Sequence, residues 1–322
     1  MRKKTILITG VAGMIGSELL KRLIRNNNNL IVGIDNFTLG KKSNIKEYFK
    51  KKNFIFFNID LSKKIQNKKL SKLLKNKKLN EIWHLAANSD IKSGILNSEI
   101  DYKNTFMTTY YILNFIKKNL QYNSKFIFTS SSAVFGDVNK MINENMPALY
   151  SCSNYGSMKL ASEAIISSFS YLNNVKSFIF RLPNVVGKKL THGVIFDLSN
   201  KIKNKKTKYL QVLGNGKQRK PYSHGSEIVD CMLYVKNNNH KSFVNYYNIG
   251  NNDKGVEVNK IVELLVEKFN YKKKIKFEKK NFGWKGDVPK YSYSTKKINQ
   301  LGYKFSLSSL DAIKKTISEL GK

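Results

Sequence analysis

Short apolar runs alternate with helix-like segments through the first 183 residues of this chain. Each run is rich in β-branched and aromatic residues, and a stretch with apolar residues three or four positions apart often follows it. Strands separated by helices pair in parallel, because each crossover needs a helix to return the chain to the same edge. We therefore expect an α/β fold with a doubly wound parallel sheet. The predicted strands are residues 5–9, 30–35, 53–61, 81–87, 125–132 and 175–183, and the predicted helices are 17–25, 103–119 and 154–172.

The pattern changes after Pro183, where glycine-punctuated loops separate shorter elements. Residues 227–235, 257–269 and 306–320 have helical periodicity, and residues 244–250 read as a further strand. We expect residues 1–183 to form one domain, to which elements around 226–250 return. Residues 184–322 would mainly form a second, smaller domain.

The bulk composition is that of a folded protein. The 322 residues are 41% hydrophobic, and no apolar run reaches the ~18 residues that a membrane-spanning helix needs, so no membrane partner is expected. The first 20 residues imitate a signal peptide, but their glycines have a better explanation below. With Cys152 and Cys231 alone, a disulfide framework is excluded and a reducing, cytoplasmic setting is favoured.

The net charge of +36 is less informative than its size suggests. Of the 58 basic residues 53 are lysines, spread along the whole chain. A nucleic-acid-binding protein more often concentrates arginine and lysine on one face, so no specific nucleic-acid partner is expected. The lysine and asparagine excess instead indicates A/T-rich codon usage. The four histidines show no metal-ligand spacing, and no metal is expected.

Three glycines stand between the first strand and the first helix, in the segment "ITGVAGMIGSELL". Gly10, Gly13 and Gly16 would let a pyrophosphate lie against bare backbone at a helix N-terminus. Asp35 ends the second strand 19 residues after Gly16, where a carboxylate accepts hydrogen bonds from ribose hydroxyls and repels a 2′-phosphate. The pattern indicates a dinucleotide site and favours NAD over NADP.

A tyrosine and a lysine four positions apart, Tyr155 and Lys159, are a candidate for proton transfer because they share one helical face. Spacing alone does not decide this. The 17 tyrosines and 53 lysines give about three such pairs by chance, and the chain has three, the others being Tyr48/Lys52 and Tyr293/Lys297.

The ordered motifs resemble the extended short-chain dehydrogenase/reductase family, and within it the nucleotide-sugar epimerases of the UDP-glucose 4-epimerase type. The resemblance covers nearly the whole chain and implies a Rossmann-type NAD domain followed by a substrate domain. The motifs are "TGVAGMIG" (9–16), "DN" (35–36), "HLAAN" (84–88), Asn104, "SSSAVFG" (130–136), "YGSMK" (155–159), "RLPNVVG" (181–187), "LGNGKQRKPYSH" (213–224), "NIG" (248–250) and "GDVP" (286–289).

The resemblance selects Tyr155/Lys159 from the three pairs and implies Ser131 as the hydroxyl that binds the reacting sugar oxygen. An adjacent ammonium and the positive nicotinamide ring would both favour the phenolate, so that Tyr155 could act as a base near neutrality. The implied NAD contacts are Gly10, Gly13, Met14, Ile15, Gly16, Asp35, Asn36, Asp60, Leu61, Leu85, Ala86, Ala87, Asn104, Tyr155, Lys159 and Pro183. The implied substrate contacts are Ser131, Asn184, Val194, Arg219, Lys220, Tyr222, Asp287 and Tyr291.

The resemblance also narrows the reaction. Family dehydratases carry an Asp-Glu pair after the catalytic hydroxyl, where this chain has Ser132 and Ala133. The expected reaction is therefore NAD-dependent C4 epimerisation of a nucleotide-activated hexose. A 4,6-dehydratase, a 4-ketoreductase or a catalytically idle NAD-binding scaffold remain alternatives.

Family arginines that bind the substrate diphosphate fall on Lys220 and Trp284, which leaves the nucleotide open. Tyr291 falls where side-chain bulk selects the sugar and favours a hexose without an N-acetyl group. The family also implies a role in polysaccharide synthesis and a homodimer formed through segments 103–119 and 154–172.

Overall fold

A seven-stranded parallel sheet organises the chain in the computed structural model, which describes residues 4–75, 77–138, 141–147, 151–284 and 286–321. Its strands are β1 (Lys4–Thr9), β2 (Asn29–Asp35), β3 (Phe54–Asn58), β4 (Leu79–His84), β5 (Leu120–Ser131), β7 (Lys176–Leu182) and β12 (Val244–Asn248). The spatial order is β12-β7-β5-β4-β1-β2-β3, with every neighbouring pair parallel. The expected doubly wound α/β fold is confirmed, including the late strand predicted at 244–250.

The remaining strands are short and lie outside the sheet. They are β6 (Met141–Ile142), β8 (Asn184–Val186), β9 (Tyr209–Val212), β10 (Arg219–Lys220), β11 (Tyr222–His224), β13 (Val256–Glu257), β14 (Lys274–Phe277) and β15 (Ser292–Tyr293). They form two-stranded pairs: β8 with β11, β9 with β14, β6 with β15 and β10 with β13.

Helices cover both faces of the sheet. The α-helices are α1 (Met14–Leu23), α2 (Lys64–Leu73), α3 (Ile91–Leu96), α4 (Ser98–Asp101), α5 (Thr108–Ile116), α6 (Asn154–Asn173), α7 (Val194–Lys203), α8 (Gly225–Asn237), α9 (Val258–Phe269), α10 (Lys296–Gln300) and α11 (Ser309–Glu319). Tyr102–Met107 is a π-helical turn, and 3₁₀ turns span Lys42–Asn44, Lys46–Tyr48 and Ser132–Phe135. None of the helices in the described part of the chain is long and apolar enough to cross a bilayer.

Alternation along the strands divides the core into two layers. Ile6 and Ile8 of β1 face the layer that packs under α1 and α8, whereas Leu7 between them faces the layer under α2, α5 and α6. Successive side chains of a strand point to opposite faces, so each strand is buried on both sides. A third apolar cluster, built from α7, α9, α11 and β9, forms the core of the C-terminal part.

The strand order reverses between β4 and β1, because β2 and β3 extend the sheet one way and β4, β5, β7 and β12 the other. Loops leaving the carboxyl ends of β1 and β4 therefore separate and leave a crevice, where α/β proteins bind ligands. Although α8 and β12 follow residue 183, they pack on the sheet layer. The division at residues 183/184 stays a prediction.

Candidate active site

A cavity of about 1170 Å³ opens at the carboxyl ends of the parallel strands and continues between the sheet and the C-terminal part. Every predicted site residue except Arg219 contributes to its wall, from the glycine turn to Tyr291. The structure thus brings together residues that lie as much as 281 positions apart in the chain, from Gly10 to Tyr291.

The glycine turn has no room for side chains. Gly10 has φ +69°, and a Cβ atom there would lie 2.8 Å from the amide nitrogen of Ala86. A Cβ on Gly16 would overlap the carbonyl oxygen of Gly10. Gly13 is the N-cap of α1 and supplies no side-chain cap, so the first amides of that helix stay open to an anion. This cradle fits the pyrophosphate of NAD.

Asp35 is held in place by the glycine turn itself. Its Oδ2 accepts a hydrogen bond from Ala12 N at 2.9 Å, and its Oδ1 accepts one from Phe37 N at 2.8 Å. Each carboxylate oxygen has a second lone pair, which leaves acceptor capacity for ribose hydroxyls. Burial raises the pKa of Asp35, and the backbone donors oppose that rise. The carboxylate therefore supports the turn, and its ribose-binding role stays a prediction.

The catalytic candidates meet where β5 ends and α6 begins. Ser153 caps α6 by accepting a hydrogen bond from Gly156 N at 3.1 Å, which places Tyr155 in the first helical turn. Tyr155 is half-buried and hydrogen-bonded to Ser131. The Nζ of Lys159 lies 5.7 Å from the centroid of the Tyr155 ring and donates to Thr129 O at 2.7 Å. The three residues form one cluster on the cavity wall.

Burial dominates the protonation of this cluster. It raises the pKa of Tyr155 to about 12, although the hydrogen bond with Ser131 lowers it. It also lowers the pKa of Lys159 to about 7, against the opposing effects of Glu163 and Asp101. The neighbouring lysine alone does not offset the burial of the phenol, because the same burial weakens its ammonium. The expected contribution of the nicotinamide ring stays a prediction.

A buried ion pair supports the cluster from behind. Glu163 is one helical turn beyond Lys159, and its carboxylate accepts hydrogen bonds from Nε and Nη2 of Arg181 at 3.0 and 2.7 Å. The Oγ of Ser130 donates to the same carboxylate at 2.5 Å. The ion pair joins α6 to the end of β7, and the hydrogen bond from Ser130 adds the end of β5. Glu163 and Arg181 were not predicted from the sequence, although the i,i+4 spacing of Glu163 from Lys159 was a usable signal.

The other end of the cavity brings together substrate-site candidates from distant loops. Lys220 forms an ion pair with Asp287, and its Nζ lies 5.4 Å from the centroid of the Trp284 ring. Asn184 Nδ2 donates to the Tyr291 hydroxyl at 3.1 Å. Val194 and Tyr222 line the same region. These contacts place one cation and three aromatic rings at the predicted substrate end.

Arg219 is the predicted site residue that the structure places elsewhere. Its Nη2 pairs with Glu257 at 2.7 Å, and its Nη1 donates to Gly255 O at 3.4 Å. Alternation along the short strand directs Arg219 and Lys220 to opposite sides. Lys220, rather than Arg219, therefore faces the cavity.

The cavity wall also holds residues that the sequence analysis did not select. Lys189 lies there and donates to Ser17 Oγ at 3.0 Å, next to the first turn of α1. Thr38 and Gly40 follow Asp35 around its edge. In a chain with 53 lysines no sequence signal distinguishes Lys189 from the others.

The two competing Tyr/Lys pairs have structural positions away from the cavity. Tyr48 is buried in the core, and the Tyr293 hydroxyl donates to Arg181 O at 2.5 Å. Lys297 donates to Tyr246 O at 2.6 Å. Among the described residues, no group of three or more His, Cys, Asp or Glu side chains could hold a metal ion.

Comparison with known proteins agrees with this geometry. Residues 6–250 match the model of the NAD dependent epimerase/dehydratase family. The chain is 28% identical over 320 residues to a putative UDP-glucose 4-epimerase of Methanocaldococcus jannaschii, with 97% of each chain covered. It is 27% identical to UDP-glucuronic acid decarboxylase 4 of Arabidopsis thaliana, over 76% of this chain and 53% of that protein.

Among solved structures, a UDP-galactose 4-epimerase superposes with a TM-score of 0.83. It is 25% identical to this chain, with 98% of each chain covered. The similarity extends through the C-terminal part as well as the sheet.

Proposed function

The chain belongs to the NAD dependent epimerase/dehydratase family, and on that premise we propose that it epimerises a nucleotide-activated hexose at C4. The substrate would be of the UDP-glucose/UDP-galactose type, and the reaction would pass through a transient 4-keto sugar. The observation that carries this proposal is the Ser131/Tyr155/Lys159 cluster. It lies on the wall of one cavity, between the glycine cradle and the Lys220 end.

The residues of this chain divide the chemistry between them. Tyr155 takes the proton from the sugar 4-hydroxyl and later returns it, while Ser131 hydrogen-bonds the oxygen that loses and regains that proton. Lys159 is the protein's own positive charge beside the phenol, and such a charge favours the phenolate. When bound, NAD supplies a hydride acceptor that becomes the hydride donor of the return step, so no external oxidant is needed.

The positions that follow the catalytic hydroxyl favour epimerisation over dehydration. Ser132 Oγ donates to the Tyr291 hydroxyl at 3.4 Å, and Ala133 has no titratable group. Elimination of water needs an acid and a base near C5 and C6 of the sugar, and neither residue supplies one. The idle-scaffold alternative is disfavoured for a different reason, because a scaffold would have no use for the cluster of Ser131, Tyr155 and Lys159.

Tyr291 supports the choice of sugar. Hydrogen bonds with Asn184 and Ser132 hold its hydroxyl across the cavity. A ring fixed there leaves less room for an N-acetyl group at C2. We propose a hexose without that group.

The decisive experiment incubates the purified protein with UDP-, GDP- and dTDP-hexoses, without added cofactor, and follows epimer formation. We expect interconversion of a 4-epimer pair. Tyr155→Phe should lower kcat by about 10²- to 10⁴-fold while the protein keeps its NAD. Interconversion by Tyr155→Phe at the wild-type rate would contradict the assignment. A 4-keto-6-deoxy product would indicate a dehydratase. Oxidation of added NADH or NADPH with a 4-keto-6-deoxy sugar nucleotide as substrate would indicate a ketoreductase, and no product in either assay would indicate a scaffold.

We further propose a cytoplasmic homodimer that serves polysaccharide synthesis. The two helices implied for dimer formation carry exposed apolar side chains: Tyr110 on α5, and Tyr171 and Leu172 on α6. Light scattering on the wild type and a Leu172→Glu variant tests the interface, since a charge at a buried apolar contact should favour the monomer. An unchanged dimer would show that a different surface is used.

A further inference from the structure

A buried carboxylate behind the catalytic cluster has no role in the mechanism described above. Asp101 ends α4 and has a solvent-exposed fraction of 0%. Its Oδ1 accepts a hydrogen bond from Asn88 Nδ2 at 2.7 Å, whereas its Oδ2 has no hydrogen-bond partner among the described residues. A buried polar atom without a partner is uncommon and costs stability, so the position needs an explanation.

The space around Asp101 is shaped for a carboxylate. The Oδ2 atom lies against the Cα of Gly94, where any larger residue would overlap it. Asn88 is itself fixed, because its Nδ2 also donates to Asp90 O at 2.9 Å. The group is therefore held rigidly in an interior position.

The buried lysine of the catalytic cluster, Lys159, has no carboxylate partner in a salt bridge among the described residues. Lys159 is 3% exposed, and its Nζ donates a hydrogen bond to a neutral carbonyl, Thr129 O. The carboxylate of Glu163, one turn further along α6, is already paired with Arg181.

Asp101 lies on α4, which packs against α6, and its buried Oδ2 has no hydrogen-bond partner among the described residues. Its charge raises the pKa of both Lys159 and Tyr155. Burial raises the pKa of Asp101 itself, and Asn88 and Lys159 oppose that rise.

We propose that Asp101 is an electrostatic positioning residue, whose charge keeps Lys159 protonated and sets the pH range in which Tyr155 and Lys159 work. This proposal rests on the proposed function, because it gives the carboxylate a role in the same proton transfer. Asp101 does not line the cavity and would act on the substrate through Lys159 and Tyr155, whereas Ser131 lines the cavity and would contact the substrate directly.

The charge of Asp101 shifts the pKa of Lys159 and the pKa of Tyr155 in the same direction. A negative charge stabilises the Lys159 ammonium and destabilises the Tyr155 phenolate, so it raises the pKa of each group. Removing the charge must therefore lower both. The other ionisable groups near the cluster are Glu163 on α6 with its partner Arg181 on β7, Asp90 before α3, and His84 on β4. Burial lowers the pKa of His84 to about 3, so that its imidazole is neutral. All of them remain when Asp101 alone is changed.

The test is Asp101→Asn, which keeps the shape of the side chain and removes its charge. We expect both limbs of the pH profile of kcat to move to lower pH by about one unit. Glu99→Gln is the matched control, because it removes the same charge from the same helix. Glu99 lies at a 60% exposed position, where its partner is Lys103, and its profile should stay in place.

A second measurement does not depend on turnover. Ultraviolet difference titration of each protein against the same protein carrying Tyr155→Phe isolates the ionisation of Tyr155 among the 17 tyrosines. The pKa of Tyr155 should fall in Asp101→Asn and stay constant in Glu99→Gln. If Asp101→Asn folds poorly, Asp101→Ser removes the same charge with a smaller side chain and is titrated in its place.

The outcomes separate the two proposals. A lower kcat with both limbs and the tyrosine titration unmoved would show a purely structural role and overturn the inference about Asp101. A shifted titration in a protein that converts none of the tested sugar nucleotides would support that inference and contradict the proposed function.

Discussion

Replacing Arg181 with methionine should strip the buried Glu163 of its charge partner. The two side chains are 7% and 2% exposed and are joined by two hydrogen bonds, of 3.0 and 2.7 Å. Methionine preserves much of the apolar contact that the guanidinium makes with Phe135, whose ring centroid is 4.7 Å from Cζ. What remains is a buried carboxylate that has lost both guanidinium hydrogen bonds and keeps the Ser130 hydroxyl as a donor.

Two arguments give the size of the loss. Removing one partner of a buried ion pair typically costs about 3–5 kcal/mol. Coulomb attraction between unit charges about 4 Å apart is about 4 kcal/mol at an effective dielectric constant of about 20. We therefore expect the free energy of unfolding of Arg181→Met to fall by about 3–5 kcal/mol.

The chain contains a matched control for this variant. Arg219 pairs with Glu257 at 2.7 Å, the same separation as the Arg181–Glu163 contact, but those side chains are 37% and 34% exposed. Solvent screens such a pair, so Arg219→Met should cost less than about 1 kcal/mol. Urea-induced unfolding, followed by circular dichroism at one protein concentration, measures both variants. Equal losses for the two would refute the argument that burial makes the Arg181 pair matter.

A double variant separates charge from packing. Glu163→Leu in the Arg181→Met background removes the orphaned carboxylate and should restore most of the lost stability. No recovery would mean that the arginine acts through its contacts with aromatic rings rather than through Glu163.

Three further predictions follow from the cavity. Gly16→Ala should weaken NAD binding at least about tenfold, about 1.4 kcal/mol, because the new Cβ would overlap Gly10 O. Gly321→Ala, which has open space around it, should bind NAD like the wild type, and equal NAD retention by the two variants would contradict the role of the glycine turn. Burial lowers the pKa of Lys159 to about 7 from 10.5, so between these pH values the unfolded chain binds more protons than the folded one, and the free energy of unfolding should rise with pH. Urea unfolding of Lys159→Met should lack this rise, and the same pH dependence in wild type and variant would contradict the assignment to Lys159. Tyr291→Ser should raise kcat/KM for N-acetylhexosamine nucleotides relative to the plain hexose, and an unchanged ratio would show that Tyr291 does not select the sugar.

The repeating core was predictable because its signal is local. Each buried strand is a short run of apolar residues, and each long helix has its own periodicity, so the doubly wound sheet and α1, α6 and α8 could be predicted without tertiary information. The helix α2 was missed for the corresponding reason. Half of its ten residues are lysine or asparagine. Its buried contacts are Leu70 and, just after the helix, Leu74, which are too few to show a period.

The position of the glycine turn could also be predicted from the sequence, because the backbone geometry there requires glycine. Gly10 needs its positive φ, and both Gly10 and Gly16 need space that a Cβ would fill, so the motif marks its own position in the chain. The candidate pair Tyr155/Lys159 was selected by the order of the motifs around it, and the structure places the other two Tyr/Lys pairs away from the cavity.

What the amino-acid order alone determined is therefore the layering of the sheet and the place of the dinucleotide turn, since both follow from neighbours in the chain. Only the tertiary structure decided which buried ionisable groups are paired and in which direction their pKa values shift. The weakened ammonium of Lys159, the paired Glu163 and the isolated Asp101 all arise from groups far apart in sequence that exclude water from one another. Electrostatic energies depend on distance and solvent access, which no local pattern of residues encodes.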